Sequence, residues 1–310
     1  MLGYDTMTHY LLENEMAEEE ILPTNDIIFK IIFGDQKHSR VLIHFLNAVI
    51  QPKSPIKSVK ITQTELTREL VTQKGVRLDI AATTEDNQII SIEMQKGVDK
   101  HMDKRVLYYW SRLFAGQLIV SEKYRNLCRT ISIAILDFTF FEKDDRFWRK
   151  ILLKDDLTNE ALNDLLELHF IEIGKMKEMR QDSPITFWVE FFKDPYSEKV
   201  KSLCKFVPEI QEAKDLFEKA KSDPKAQELI RLKEKAMRDY FNDIAEAKDE
   251  GEKIGEARGI EKGEKIGAEK ERAKADAEKR EMARKFLKMG LSAEQIAEGS
   301  GLSIEEIKKL

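Results

Sequence analysis

The sequence predicts an α/β (α+β) fold, in which helices flank a mixed sheet and an all-helical C-terminal extension follows. Two runs, residues 76–81 and 89–95, alternate apolar and polar side chains as strands do. Residues 129–141 add a longer run that is rich in β-branched and aromatic residues. Segments with the helical spacing of apolar residues lie before and after these strands in the sequence. Beyond about residue 183 only helical patterns remain.

Two helices are predicted before the first strand. Thr24 or Asn25 can cap the first of them, which would run to Gly34 and is apolar almost all round, so we expect it to be buried. The second spans about residues 38–50 and ends before two prolines. Ahead of both, residues 1–22 are polar and acidic and are predicted to form a loose arm.

The remaining elements follow in chain order. Residues 57–66 alternate weakly and are predicted to form a strand, and residues 99–120 have helical spacing. Two more strands are predicted at 147–154 and 168–173. The predicted organisation is an arm at 1–22, a core at 23–182, a helical extension at 183–245, a charged helix with glycine every four residues at 246–282, and a helical tail at 283–310.

Composition sets limits on the class of protein. A chain of 310 residues can bury a sizeable core, and its net charge of −5 provides no strong basic field for nucleic acid. Any contact with DNA must therefore come from a local patch or a metal ion. Cys128 and Cys204 lack the spacing of a metal motif or a disulfide framework. With no signal peptide apparent and no apolar run near the ~20 residues that span a bilayer, we expect a cytoplasmic protein without a membrane partner.

The hairpin predicted from 76–81 and 89–95 carries the most informative polar residues. Even-numbered residues are apolar in both runs and odd-numbered residues are polar, so each set should share one face of the sheet. A three-residue loop at 85–87 would place Asp79 directly across from Glu93, about 4.5–5.5 Å apart at Cβ. Two carboxylates at that distance repel each other unless a proton or a cation lies between them. The alternative is an ordinary solvated face of an antiparallel hairpin, on which the acids have no special role.

Several short motifs occur in the same order as in a known family. They are Asn25–Gly34 (NDIIFKIIFG), Arg77–Ile80 (RLDI), Ile92–Gln95 (IEMQ), Lys104–Tyr109 (KRVLYY) and Gly116–Leu118 (GQL). Together they resemble the PD-(D/E)XK nuclease superfamily and, more closely, the recombination-promoting nuclease / putative transposase family. The resemblance covers over a third of the chain and implies a restriction-endonuclease-like core that cleaves DNA in a metal-dependent reaction.

The resemblance also implies roles for individual residues. Asp79 and Glu93 would hold Mg²⁺, with the backbone carbonyl of Met94 as a further ligand, and Mg²⁺ bound by few carboxylates keeps waters and accepts phosphate oxygens. Gln95 stands where the superfamily usually has lysine. Glutamine can orient a water but carries no charge, so the positive charge is left to Lys30 or Lys104.

Other residues would complete the site. Asp26 would direct its carboxylate at the same metal, or would simply be a first-turn acid favoured by the helix dipole. Arg105, Tyr108, Tyr109 and Arg112 share one helical face, which would form a wall of the site with Arg105 near phosphate. Tyr109 would contribute to substrate binding from that face, and Gln117 is a weaker candidate. The alternative is a packed helix whose arginine heads reach solvent.

The C-terminal part leaves its alternatives open. The glycine-repeat helix is either a solvated spacer or a helix for self-association into a homo-oligomer. Residues 293–310 have the pattern of a helix-turn-helix, yet two glutamates in the second helix favour a small packing hairpin instead. We therefore expect a Mg²⁺-dependent DNA endonuclease. The rivals are a regulatory DNA-binding relative without catalysis and a structural oligomerisation protein.

Overall fold

The computed structural model describes residues 21–62, 65–66, 76–119, 121, 123–180 and 182–310, without the side chains of 65, 66, 76 and 77. The predicted arm at 1–22 lies outside the described residues except for its last two. The chain divides into two compact units, with the division between Arg231 and Leu232. The helices are α1 (Asp26–Phe33), α2 (Ser39–Ile50), α3 (Met102–Ala115), α4 (Pro184–Lys193), α5 (Glu198–Leu203), α6 (Pro208–Ser222), α7 (Pro224–Lys288), α8 (Ala293–Ser300) and α9 (Ile304–Ile307).

The described residues form a mixed six-stranded sheet and a separate two-stranded ladder. The large sheet has the order β1-β4-β5-β6-β8-β7, in which β5, β6 and β8 run parallel and the other neighbours pair antiparallel. The strands are β1 (Val59–Thr62), β2 (Glu65–Leu66), β3 (Val76–Arg77), β4 (Ile80–Thr84), β5 (Ile89–Gln95), β6 (Thr130–Leu136), β7 (Trp148–Leu152) and β8 (Leu166–Glu172). A mixed sheet with helices around it confirms the predicted fold class, which is consistent with a restriction-endonuclease-like fold.

Helix α1 begins and ends where its sequence predicts. The Asn25 side chain accepts hydrogen bonds from two backbone N–H groups of the first turn, which caps the helix. Gly34 follows the last turn, and a Cβ there would lie 2.5 Å from the Lys30 carbonyl oxygen, so a larger residue would force the backbone to move. Ile28, Phe29, Ile32 and Phe33 are buried. Ile27 and Ile31 are only partly buried, so the helix is not buried all round as predicted.

The two faces of the sheet are covered by different helices. On one face, the even-numbered residues of β4 and β5 join one large apolar core with α1, α2, α4 and α6. On the other face, Ala134, Leu136 and Phe170 pack against α3 in a smaller cluster. The acid-bearing side of β5 therefore faces α3 and not open solvent, and Ser91 on that side is 1% exposed.

The predicted strand 76–81 is interrupted in the structure. β3 pairs with β2, and the chain resumes pairing in the large sheet only at Ile80. Leu78, predicted to share the face of Ile80, instead packs with Ala81 and Leu113 on the α3 side, because the break at 78–79 ends the strict alternation. The Val76 and Arg77 side chains are outside the described residues.

The predicted strand 129–141 ends early, at Leu136. Beyond it the buried Glu172 carboxylate accepts hydrogen bonds from the backbone N–H groups of Phe140 and Phe141, at 2.8 and 3.0 Å. These bonds hold the chain away from the sheet, so the aromatic residues pack as a loop against Phe170. The apolar run continues although the strand does not.

The helical residues from 184 to Arg231, where the first unit ends, belong to that unit. Pro208 and Pro224 occupy the first positions of α6 and α7, where a missing N–H costs nothing. Trp188 of α4 and Phe217 of α6 are fully buried in the main core. The boundary predicted between residues 182 and 183 thus falls inside this unit, and the helices that follow it belong to the same core.

The second unit contains most of α7 and the tail. Residues 246–282 are helical, as predicted, and form part of α7 without interruption. The end of α7 packs against the tail through Ala283, Ile296, Leu302 and Ile307. Helix α9 has only four residues, and its Glu306 side chain forms a capping box with Ser303.

One charged network lies deep in the first unit. The Trp148 indole N–H donates to Nδ1 of His169, so the other ring nitrogen carries the proton that bonds the Glu167 carboxylate at 2.7 Å. Arg129 and Lys150 also contact that carboxylate. Burial alone would raise the pKa of Glu167, but the hydrogen bonds from His169 and Arg129 outweigh it and hold that pKa at about 2.

Replacing Glu167 with Gln should therefore destabilise the protein in a pH-dependent way. We expect a loss of about 3 kcal/mol in the free energy of unfolding at pH 7, since the change leaves buried cations without their partner. Because the folded-state pKa lies below the unfolded value, the wild-type advantage should shrink as pH falls from about 5 towards 2. Urea unfolding at several pH values measures this, with exposed Glu160→Gln as the control. An unfolding difference between wild type and Glu167→Gln that is independent of pH would contradict it.

Candidate active site

The pairing of β4 with β5 places the two acids of the predicted site side by side. Ile80 lies opposite Ile92, and the same register extended by one residue sets Asp79 against Glu93. The Thr84 backbone N–H donates to the Gln88 carbonyl oxygen, so the loop that closes the hairpin is 85–87, as predicted. Asn87 closes it in the left-handed conformation at φ 60°, which asparagine tolerates better than most residues.

Each carboxylate is held by the backbone of the opposite segment. The Asp79 backbone N–H donates to Glu93 Oε1 at 3.2 Å, and the Met94 backbone N–H donates to Asp79 Oδ2 at 2.9 Å. These reciprocal bonds fix one oxygen of each acid and leave the other oxygen of each for a different partner. Glu93 is only 6% exposed, so the predicted alternative of a solvated polar face is wrong.

Two cationic side chains face the remaining oxygens. Lys30 of α1 places Nζ 3.0 Å from Asp79 Oδ1, and Arg105 of α3 places a guanidinium nitrogen 3.6 Å from Glu93 Oε2. The helices that supply these cations pack on opposite faces of the sheet. The acid pair is thus compensated from both layers of the fold.

The two nearby cations do not fully compensate the negative charge of Glu93. Burial is the main cause that raises the pKa of Glu93 to about 8, and the nearby charge of Asp79 raises it further. Arg105 and Lys30 act in the opposite direction and do not outweigh these effects. A further cation at the two oxygens that the backbone does not hold would stabilise the charged form of this buried carboxyl.

Arg105 also organises the residues around Glu93. It donates to Gln95 Oε1 at 2.8 Å and to the Tyr109 hydroxyl at 3.2 Å, and it lies 3.8 Å from an Asp99 oxygen. The Gln95 amide nitrogen donates to the Lys96 carbonyl oxygen, so both ends of this side chain have protein partners. The structure therefore brings Arg105, Gln95 and Tyr109 together at one end of β5.

The comparison with known families agrees with this geometry. Residues 23–247 match the family described as PD-(D/E)XK nuclease family transposase, which is well over half of the chain. The chain belongs to this family. Comparisons with curated proteins and with solved structures gave no match. A search of the described residues for a helix long and apolar enough to cross a membrane found none.

The roles predicted for two other residues of this nuclease-family protein stay predictions. Asp26 lies four residues before Lys30 and so on the same side of α1. Within the described part of the chain, no three His, Cys, Asp or Glu side chains form a ligand group, so the role of Asp26 stays a prediction. The role of the Met94 carbonyl also stays a prediction, since the structure shows only its N–H in contact with Asp79.

The wall predicted on α3 stays a prediction. Tyr108 and Tyr109 both pack against the cluster of Leu78, Ala81 and Leu113. Gln117 has a structural role: its side chain bonds both backbone groups of Cys128 and the Thr130 hydroxyl, and so fixes the chain before β6. These contacts depend on a turn after α3 that the sequence pattern does not reveal.

Asp99 is the residue that the sequence analysis missed. It faces Arg105, and its other oxygen accepts the His101 backbone N–H at 2.8 Å just before α3 begins. Aspartate commonly accepts the backbone N–H two residues further on, as Asp99 does here, and this turn pattern before the helical run was the available signal. Its position gives the Arg105 guanidinium a second anionic neighbour besides Glu93.

Replacing Glu93 with Gln tests whether this carboxyl serves a cation. Since the carboxyl is buried and its pKa is near neutrality, the amide is a close substitute. We expect the free energy of unfolding in EDTA to change by less than about 1 kcal/mol. Wild type should unfold at a higher temperature with Mn²⁺ or Mg²⁺, because a ligand that binds the folded state stabilises it. Scanning calorimetry should show no such increase for Glu93→Gln and an undiminished one for Asp86→Asn in the loop. A normal increase in Glu93→Gln would contradict this role.

Proposed function

We propose that this protein is a divalent-metal-dependent DNA endonuclease that hydrolyses phosphodiester bonds, with Asp79 and Glu93 as its metal ligands. The observation that carries the proposal is the paired geometry of these acids. Each has one oxygen fixed by a backbone N–H and one oxygen facing a cation. Membership of a nuclease family supports the same chemistry. A role in recombination or transposition-like events, and a cytoplasmic location, stay predictions.

The donor set fits Mg²⁺. Both candidate ligands are carboxylates: Asp79 lies directly before β4 and Glu93 lies on the neighbouring strand β5. The hard Mg²⁺ ion takes oxygen ligands from one or two carboxylates while keeping waters for substrate phosphate. When bound, such an ion supplies Lewis-acid stabilisation of phosphate charge and a more acidic water. The protein's part is to keep both acids in place, which the reciprocal backbone bonds do. Met94 is proposed as a third ligand through its carbonyl group.

Lys30 is proposed to supply the positive charge that Gln95 lacks. Its ammonium lies 3.0 Å from Asp79, whereas Lys104 is exposed to solvent. An ammonium group beside the acid pair can stabilise a phosphate oxygen of DNA as its charge grows. Among the two candidates from the sequence, the contacts favour Lys30.

Gln95 and Arg105 are proposed to act as one unit. The Arg105 guanidinium fixes the Gln95 amide by the bond to its oxygen, and Tyr109 supports the guanidinium in turn. Gln95 then orients the attacking water while Arg105, whose side chain is 34% exposed, binds a substrate phosphate. Asp26 is proposed to assist from the neighbouring helix α1.

The test is cleavage of supercoiled plasmid by the full chain with Mg²⁺, beside an EDTA control. We expect wild type to nick or linearise the plasmid. Asp79→Ala and Lys30→Gln should lose at least about a hundredfold in rate, because each removes a charge that stabilises the transition state. Lys104→Gln should cleave like wild type. Plasmid binding without cleavage under several divalent ions would contradict the enzyme and support the regulatory alternative.

Self-association through the C-terminal helices is part of the proposal. Six positions of α7 follow the alternating three- and four-residue spacing of a coiled-coil seam. They are Met237, Tyr240, Ile244, Ala247, Gly251 and Ile254, all exposed in the single chain. In a parallel pair, Asp243 of one copy would face Lys248 of the other, whereas an antiparallel pair would bring acids together. We therefore propose a second copy of this chain as the partner.

Replacing Ile244 with Asp should weaken this association, since it places a charge at the centre of the seam. Sedimentation velocity over a concentration series should show a dimer for wild type and a shift of at least about tenfold in its dissociation constant for Ile244→Asp. Ile260 is also exposed but lies off the seam, so Ile260→Asp is the matched control. A monomer at every wild-type concentration, or equal effects of both variants, would contradict the seam.

A further inference from the structure

Every carboxylate oxygen of the acid pair already has a partner within the protein. Of its four oxygens, two accept backbone N–H groups, one faces the Lys30 ammonium and one faces the Arg105 guanidinium. The two oxygens that face side-chain cations, Asp79 Oδ1 and Glu93 Oε2, are the ones not held by the backbone. A metal ion that uses both carboxylates therefore meets positive charge where it must bind.

The two cations differ in how firmly they are held. Arg105 is fixed by Gln95, by the Tyr109 hydroxyl and ring, and by Asp99, and it lies further from its acid, at 3.6 Å. Lys30 is a flexible side chain, 32% exposed, with an ion pair of 3.0 Å to Asp79. Lys30 can therefore leave its acid more easily than Arg105 can.

We propose that a divalent cation displaces the Lys30 ammonium from Asp79, and that the released ammonium then becomes available to a DNA phosphate. Before the metal binds, the Lys30 ammonium supplies positive charge beside Asp79 and so lowers the repulsion between Asp79 and Glu93. Once the metal is bound, its positive charge repels the Lys30 ammonium. This repulsion drives the ammonium away from Asp79. Arg105 stays with Gln95 and Tyr109 throughout. This exchange rests on the proposed metal site.

The exchange gives Lys30 opposite effects on two measurable quantities. Lys30 competes with the metal, so its removal should tighten metal binding. Lys30 also serves the phosphate, so its removal should slow cleavage. Removal of a residue with a merely structural role would weaken metal binding and slow cleavage. A residue that only contacts a metal-bound water would not compete with the ion, so its removal would not tighten metal binding.

Calorimetric titration of the metal-free full chain with Mn²⁺ measures the competition. We expect Lys30→Gln, and Lys30→Met as a second variant that keeps the stem, to bind Mn²⁺ at least about fivefold more tightly than wild type. Exposed Lys37→Gln should bind like wild type, and Asp79→Asn should lose binding. Unchanged or weaker binding by both Lys30 variants, with loss in Asp79→Asn, would overturn the exchange and leave the metal site standing. No Mn²⁺ binding by wild type would overturn both.

Amine labelling distinguishes displacement from simple repulsion. An ammonium paired with a carboxylate reacts slowly with an acylating reagent, and a released one reacts faster. Mass spectrometry should show that Mn²⁺ raises the labelling of Lys30 several-fold in wild type and leaves that of Lys37 unchanged. In Asp79→Asn, Lys30 should label readily with or without Mn²⁺. Labelling of Lys30 that does not respond to Mn²⁺, in a protein that binds the ion, would overturn the displacement.

Discussion

The register between β4 and β5 is the constraint on which the rest of the site depends. Ile80 opposite Ile92 puts Asp79 against Glu93, and a slip of one residue would turn every acid towards the apolar core. The short loop at 85–87 and the burial of Ile90 and Ile92 against the large core together exclude that slip. Stability of the core and geometry of the site are thus set by one pairing.

The register also creates an electrostatic problem that the two helical layers solve. Two acids side by side, one of them buried, are unfavourable without positive charge nearby. Helix α1 brings Lys30 from one layer and α3 brings Arg105 from the other. Since each cation comes from a different face of the sheet, the site exists only when both layers are packed.

Much of the site was predictable because it depends on local spacing. Period-two alternation and a three-residue loop are enough to bring Asp79 and Glu93 together, and Asn25 and Gly34 mark the ends of α1. The end of β6 was not predictable, since the apolar run continues through Phe140 and Phe141 while Glu172, distant in sequence, binds their backbone. Leu78 was misplaced for a similar reason, because a break between two ladders leaves no mark in the residue pattern.

The sequence by itself determined the hairpin, the acid pair and the family, since these depend on short-range order and on motifs in fixed succession. Tertiary structure decided which cations serve the acids. Lys30 and Lys104 are equal candidates in sequence, and only the packing of α1 on the sheet brings one of them to Asp79. It also decided that Gln117 supports the chain before β6, because the partners of a buried polar group come from elements that only folding brings together.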